Sequence, residues 1–318
     1  MADTEIQHIR LQRQHFRSVR RRQAFRQILS NASAVWGIGL TLLVLFVSLV
    51  GPWIITYQPL EVDIVRRLTA PGAQHWFGTD NFGRDILSRV VHGTRNSAQI
   101  GIVVALIASV IGLVVGLYSS MYKWLDQILM RVMDALYAFP AILLAIAIMA
   151  ALGPSMQNLT ICLIIVFIPA VARIVRSVAI VTREQTYIEA MEVLGASNLR
   201  IIWRHLAPNA LPALVVQASF VFAESIIVEA ALSFLGAGIP APTPSLGNQL
   251  SEAKMFIFNS WWMTLFPGFA LILTVLAMNL LGDGLRDMLD PHTAAAVKKP
   301  KKNKFGFRAW MPTRKGGV

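Results

Sequence analysis

The sequence predicts an all-α integral membrane protein with six transmembrane helices and both termini in the cytoplasm. Of its 318 residues, 55% are hydrophobic and only 14% are charged, and the mean hydropathy is +0.56. A soluble domain carries about 25% charged residues. Apolar stretches of about 20 residues, long enough to cross a bilayer, recur along the chain. Only six of the 29 Lys and Arg residues fall in the outer loops of this arrangement, which fixes its orientation.

The chain begins with a polar segment, residues 1–30, that contains seven arginines. The first apolar span follows at 32–55. It is too long for a signal-peptide core and lacks a convincing cleavage site, so it is predicted to remain as a helix. The arginines hold the preceding end in the cytoplasm, which places residues 56–96 outside. The first helix and this outer loop form the segment 31–96.

The remaining spans alternate inward and outward and complete the six. They lie at residues 97–118, 128–151, 159–180, 213–235 and 262–281. The second span carries Gly112 and Gly116, a GxxxG pair that lets a neighbouring helix approach closely, although glycine is also simply frequent in membrane helices. A lysine-rich tail, 292–318, follows the last span and is predicted to lie in the cytoplasm near anionic lipid.

Three acidic residues lie within predicted spans, where an unpaired charge is expensive. Asp134 lies in the third span with Arg131 and Pro140, and Glu224 and Glu229 lie in the fifth. Such residues are expected to face the interior of the helix bundle, so they are candidates for contact with a transport pathway or its cargo. The alternative is a neutral, hydrogen-bonded carboxyl group that touches no cargo.

The longest polar segment in the middle of the chain is YIEAMEVLGASNLRIIWRHLAPNALP, residues 187–212. Good helix formers before Gly195 predict a first short helix, which this glycine ends with a positive φ angle. A second short helix, capped by Ser197 or Asn198, is predicted to end at Pro208. Its apolar positions form one stripe: Leu199, Ile202, Trp203 and Leu206.

Two short helices at a glycine corner suit docking into a groove of a partner protein, although an amphipathic loop on the lipid surface is the alternative. The segment resembles the EAA loop of bacterial ABC-importer permeases through four residues at that family's spacing: Glu189, Ala190, Gly195 and Pro208. Met191 and Ala207 depart from the Ala and Leu that are usual there. The resemblance implies that residues 182–212 form a coupling loop that docks on an ATPase subunit, with Arg200 and Arg204 in the same loop.

The outer loop contains GTDNFGRDILSRVVHGTRNS, residues 78–97. By itself this run predicts a capped amphipathic helix, with Asp80 in the N-cap region and Ile86, Leu87 and Val90 on one face. The run also closely resembles the GTDxxGRDxxSRxxxGxRxS signature of the dipeptide, oligopeptide and nickel branch of these permeases. The matching residues are Gly78, Thr79, Asp80, Gly83, Arg84, Asp85, Ser88, Arg89, Gly93, Arg95 and Ser97.

The resemblance covers about residues 76–291 and implies the MetI-like permease fold, with a core domain at 97–291. It implies one transmembrane subunit of an ATP-driven importer of di- or oligopeptides, working by alternating access in the bacterial inner membrane. The implied partners are a second homologous permease, two ATPase subunits that bind ATP and Mg, and an extracytoplasmic solute-binding protein. A nickel complex or another small solute is the alternative cargo.

The sequence lacks the motifs of an enzyme. It contains no GxxxxGK[ST] phosphate-binding loop, no HExxH zinc motif and no nucleophile elbow, so it predicts no catalytic residue, bound cofactor or metal site in this chain. Its basic residues lie beside apolar spans, which argues against nucleic acid as a partner. A gradient-driven transporter, with the three intramembrane acids relaying protons, and a non-transporting scaffold are the other classes. The lack of an inverted repeat disfavours the gradient-driven carrier.

Overall fold

The computed structural model describes residues 31–289, and the regular elements in that range are helical. The α-helices are α1 (Ala32–Ile54), α2 (Ile86–Met121), α3 (Lys123–Tyr137), α4 (Ala141–Leu152), α5 (Met156–Arg183), α6 (Thr186–Val193), α7 (Asn198–Ile201), α8 (Ala207–Phe234), α9 (Leu246–Ala253) and α10 (Trp262–Leu289). A π-helical turn, Ile202–Leu206, joins α7 to α8. The basic segment 1–30 and the tail 292–318 lie outside the described residues.

Five helical units in the described part of the chain are long and apolar enough to cross a membrane. They are α1, α2, α5, the unit Asn198–Phe234 that contains α7 and α8, and α10. A sixth crossing results if α3 and α4 count as one span. The predicted all-α membrane fold is therefore confirmed, while the placement of both termini in the cytoplasm stays a prediction.

The third predicted span, 128–151, is not a straight helix. The axes of α3 and α4 meet at 95° across a short break. Ala138 caps the end of α3 and Pro140 precedes the first residue of α4. A proline has no N–H to donate and disfavours helical backbone at the residue before it, here Phe139, so the break falls where the sequence cannot continue the hydrogen-bond ladder.

Pro208 does not end the second short helix, contrary to the prediction. The helical unit runs on from Asn198 to Phe234, and Pro208 lies in the first turn of α8, where a proline is well tolerated. Just before it, the N–H of Ala207 donates to the carbonyl of Ile202, five residues back. This wider π turn relieves the clash between the proline ring and the preceding turn, so the chain stays helical.

The centre of the fold is the packing of α2 against α5 and α8. Residues with no exposed surface fill it, among them Leu117, Leu163 and Ile226. Gly112 and Gly116 bring α2 close to α5, because a Cβ atom at either position would lie 2.6 Å from an atom of Val171 or Ala172. The predicted close helix contact at the GxxxG pair is confirmed. The first helix, α1, packs on α10 at the edge of this bundle.

Candidate functional site

The corner between α6 and α7 has the predicted geometry. Gly195 has a φ angle of +80°, and its N–H donates to the carbonyl of Glu192 at 3.0 Å. The N–H of Ala196 donates to the carbonyl of Met191, also at 3.0 Å, which completes a Schellman motif. A Cβ atom at Gly195 would meet nothing within 4 Å. Only the backbone conformation therefore demands glycine at this corner.

The predicted apolar stripe of the second helix is divided between two surfaces, so its interpretation as one docking face is wrong. Ile202 and Leu206 are completely buried in the core of this chain, together with Ile201. Leu199 and Trp203 are 57% and 47% exposed. The reason is that the helix packs against the bundle along its length, so one side of the stripe is buried in the core of this chain.

The residues that point away from the bundle form a mixed apolar and charged face, here called the coupling surface. It consists of exposed residues on α6, on α7 and in the turns that flank α7: Glu189, Glu192, Val193, Leu194, Leu199, Arg200, Trp203 and Arg204. Ala190, Gly195 and Pro208 of the predicted motif are exposed as well. Large exposed apolar side chains among charges are typical of a surface that binds another protein.

Contacts with the bundle hold the coupling surface in place. Arg183, the last residue of α5, donates from Nη1 to the carbonyls of Ser120 and Met121 at 3.0 and 3.2 Å. These carbonyls end α2, where a cation is favourable. Ile188 of α6 is completely buried, so α6 is anchored in the core. The surface therefore rests on the C-terminal ends of α2 and α5.

The three predicted intramembrane acids have three different surroundings. Asp134 lies on α3, is 61% exposed, and accepts a 2.9 Å hydrogen bond from Arg173 of α5. Glu229 has no exposed surface and accepts three hydrogen bonds from serine hydroxyls, each at 2.8 Å: Ser97, Ser233 and Ser245. Glu229 therefore ties α8 to α2 and to the start of α9.

Glu224 differs from both other acids. It is exposed and lines a cavity of about 400 Å³ beside the break between α3 and α4. Gln217, two turns earlier on α8, lines the same cavity. Neither side chain has a hydrogen-bond partner within residues 31–289, so the structure brings Glu224 into an open space without satisfying its charge.

Apart from the half-buried Arg95, the outer signature residues are buried and serve the folding of the outer loop. Arg84 Nε lies 2.6 Å from Asp80 Oδ2, and Arg84 Nη2 lies 2.7 Å from Glu252 Oε2. Arg89, only 1% exposed, places Nη2 3.2 Å from Glu252 as well. His75 Nδ1 lies 2.9 Å from Asp85 Oδ1. The structure thus joins the signature to α9 through one ion network.

Two details of this network differ from the sequence prediction. The N-cap of α2 is Asp85, whose carboxylate accepts from the N–H of Ser88 at 2.8 Å, and not Asp80, which instead caps the turn before it and binds Arg84. Glu252 and His75 were missed, because neither stands in a motif. The signal that the sequence offers for Glu252 is an acidic residue in one outer loop that can pair with the arginines of the other.

The glycines of the signature are required by the backbone. Gly78 and Gly83 have φ angles of +76° and +77°. A Cβ atom at Gly78 would lie 2.6 Å from the carbonyl oxygen of Thr69, and one at Gly83 would overlap the carbonyl oxygen of Asp63. The signature therefore serves the folding of this chain, because its glycines permit turns that other residues could not adopt.

Comparison with known proteins decides the family. The family model described as binding-protein-dependent transport system inner membrane component matches residues 95–295. The chain belongs to this family. A second model, the N-terminal TM domain of oligopeptide transport permease C, matches residues 20–71. The resemblance to ABC-importer permeases of the peptide branch is thereby confirmed, and this chain is a multi-pass permease subunit.

Relatives of this permease carry peptide-related names. A putative peptide transport system permease protein of Brucella abortus is 47% identical over 266 residues, which cover 84% of this chain and 90% of the relative. The dipeptide transport system permease protein DppC of Alkalihalophilus pseudofirmus is 44% identical, with coverage of 85% and 89%. The probable D,D-dipeptide transport system permease protein DdpC of Escherichia coli is 40% identical, with coverage of 78% and 84%.

A solved structure has the same fold. The inward-facing MetNI methionine ABC transporter contains a chain that matches with a TM-score of 0.53 and 22% identity. The match covers 63% of this permease and 96% of that chain. The MetI-like fold expected from the sequence is therefore confirmed.

Proposed function

We propose that the protein is a transmembrane subunit of an ATP-driven, binding-protein-dependent importer of di- or oligopeptides in the bacterial inner membrane. A second homologous permease completes the pathway, two ATPase subunits bind ATP and Mg on the inside, and a solute-binding protein delivers cargo outside. The names of the relatives support peptide cargo. The family supports the ABC-importer class.

The observation that carries the proposal is the coupling surface. Its exposed apolar side chains, Leu194, Leu199 and Trp203, stand among exposed charges on a corner with a fixed backbone. A surface of this composition fits a groove of an ATPase subunit. Closure of the ATPases pushes this surface, and the anchored inner ends of α2 and α5 carry the movement into the bundle, which opens the pathway alternately to each side.

The test is ATP hydrolysis by the reconstituted complex, with and without loaded binding protein. Gly195→Val adds steric strain of about 1–2 kcal/mol at a positive φ angle. The expected result is loss of the stimulation by binding protein, with normal accumulation of the permease. Glu189→Lys, which reverses a charge on the coupling surface, is expected to give the same loss. Wild-type stimulation in both variants would contradict the assignment.

The chain offers a matched control for the glycine variant. Gly236, after α8, ends its helix in the same Schellman motif, with a φ angle of +83° and nothing within 4 Å of an added Cβ. Gly236→Val therefore adds the same strain on the predicted outer side. Glu61→Lys, at an exposed outer position, is the control for the charge reversal. Both controls are expected to keep the stimulation.

The proposed orientation has its own test. Cysteines replacing Ala73 or Ala196, in a Cys162→Ser background, are treated with an impermeant maleimide in intact cells that lack the ATPase subunits. Labelling at Ala73 alone is expected, with Ala196 labelled after permeabilisation. Labelling at Ala196 but not Ala73 in intact cells would contradict an inner coupling surface.

A carrier driven by an ion gradient, the competing class, would transport peptide without ATP.

A further inference from the structure

The break in the third span opens a cavity between three elements of the bundle. Its volume is about 400 Å³. Phe139 and Pro140 line it from the break, Phe167 lines it from α5, and Gln217 and Glu224 line it from α8. Specific sites for small ligands have volumes of about 300–1,000 Å³ and a few polar side chains among apolar ones. This cavity lies in that range of volumes, and apolar residues make up most of its lining.

Glu224 supplies the only carboxylate of the cavity lining within the described residues. It lies midway along the predicted fifth span, 213–235, where a charge without a partner is unfavourable. The other two predicted intramembrane acids are satisfied inside this chain, Asp134 by Arg173 and Glu229 by three serines. A cation from outside the chain is therefore expected at Glu224.

The two polar side chains that α8 contributes to the cavity have a spacing that suits a short peptide. Gln217 and Glu224 are seven residues apart on one helix, so they lie on the same face about 10 Å apart. An extended chain spans about 3.3–3.6 Å per residue, so three residues also reach about 10 Å. Discontinuous helices at mid-membrane depth commonly border the cargo sites of transporters, which agrees with the position of the break.

We infer that this cavity is a cargo subsite, in which Glu224 binds the amino-terminal ammonium group of a peptide and the Gln217 amide hydrogen-bonds to the peptide backbone. The inference rests on the proposed function as a peptide importer and adds the chemical group that the permease itself recognises. Every peptide with a free amino terminus carries this group, so the contact is independent of peptide sequence.

Photo-cross-linking in the reconstituted complex tests the subsite. Benzoylphenylalanine replaces Phe139, which lines the cavity and is 61% exposed, or Phe46 of α1, which lies outside the cavity and is 56% exposed. Tritiated di- and trialanine are the probes, supplied with the binding protein and ATP. The expected result is labelling through position 139, with at least tenfold less through position 46.

The acid is tested by two further variants in the background that carries the cross-linker at position 139. Glu224→Gln is expected to lower the cross-linking yield at least tenfold. Asp283→Asn removes an exposed acid of α10 that does not line the cavity, and it is expected to leave the yield within twofold. The binding protein is identical in both preparations, so its own selectivity cancels.

The outcomes separate the subsite from the proposed function. ATP-driven uptake of alanine peptides without labelling at position 139, or with labelling unaffected by Glu224→Gln, would overturn the subsite and leave the importer assignment intact. Failure of Glu224→Gln to assemble with the second permease would assign Glu224 to the subunit interface and also overturn it. Absence of ATP-dependent peptide uptake by the wild-type complex would overturn both.

Discussion

Arg176 of α5 forms a bidentate ion pair with Asp126 of α3, with nitrogen–oxygen distances of 2.5 and 2.7 Å. Further along, Arg173 binds Asp134 at 2.9 Å, so α3 is tied to α5 at both of its ends. The helix α5 ends at Arg183, directly before the coupling surface, and α3 ends at the break beside the cavity. The two ion pairs therefore connect the coupling surface to the cavity through rigid helices.

The first prediction concerns this connection. Asp126→Ala leaves Arg176 without its carboxylate, and charge-assisted hydrogen bonds of this kind contribute about 1.5–3 kcal/mol. Peptide uptake by the reconstituted complex is expected to fall about tenfold, because α3 then stays tied to α5 at one end only, through Asp134 and Arg173. Asp283→Ala is the control, since Asp283 is an exposed acid on α10 with no partner within residues 31–289. Its uptake is expected to match wild type.

A charge exchange separates the ion pair from a nonspecific effect. The double variant Asp126→Arg with Arg176→Asp restores opposite charges at the two positions, so it is expected to recover at least half of the lost uptake. An exchange variant as inactive as Asp126→Ala, in a complex that accumulates normally, would show that the pair does not transmit movement.

These contacts mark what a sequence can and cannot predict. The spans follow from hydropathy because the bilayer requires about 20 apolar residues, and the positive φ at Gly195 follows from a glycine at the end of a helical run. The partner of Asp126 lies 50 residues away in the chain and depends on how α3 and α5 pack. Pro140 could have signalled a break, but membrane helices often tolerate proline, so the 95° bend required the structure.

The second prediction concerns the outer ion network. Glu252 accepts from both Arg84 and Arg89, whose side chains are buried. Removing one partner of a buried ion pair costs up to about 3–5 kcal/mol. Without Glu252, the two arginines share Asp80 as their remaining carboxylate, so one buried positive charge is left unbalanced. Glu252→Ala is therefore expected to loosen the outer loop and make it sensitive to protease added from outside. Wild-type resistance in this variant would contradict the network's structural role.

The control for this variant is another acid of the same outer region. Glu61 is exposed, and its carboxylate accepts only a long 3.4 Å bond from the N–H of Gln58. Glu61→Ala is expected to keep the protease resistance of the wild-type protein, since surface substitutions of this kind usually change stability by less than about 0.5 kcal/mol.

The third prediction concerns the contact between α1 and α10. A Cβ atom at Gly37 would lie 2.6 Å from the carbonyl carbon of Leu280, whereas one at Gly39 would meet nothing within 4 Å. Gly37→Val is expected to separate α1 from the bundle and lower the melting temperature of the purified complex by several degrees. Gly39→Val adds the same side chain to the same helix and is expected to leave the melting temperature unchanged. Equal melting temperatures for the two variants would contradict this packing.

The last prediction separates the two acids of α8. Glu229 accepts three serine hydrogen bonds, each contributing about 1 kcal/mol, so Glu229→Ala is expected to destabilise the complex by at least about 3 kcal/mol. Glu224 accepts none within the described residues, so Glu224→Ala is expected to keep the wild-type melting temperature. Thermal unfolding of the purified complex, followed by tryptophan fluorescence, measures both.

Ser97→Ala refines the comparison of the two acids. It removes one of the three donors to Glu229 and leaves the carboxylate bound by Ser233 and Ser245. This variant is expected to lower the free energy of unfolding by about 1 kcal/mol, which is a fraction of the decrease expected for Glu229→Ala. If both Glu229→Ala and Glu224→Ala have the wild-type melting temperature, the hydrogen bonds between Glu229 and the three serines do not hold α2, α8 and α9 together. Glu229 would then need a role outside the packing of this chain.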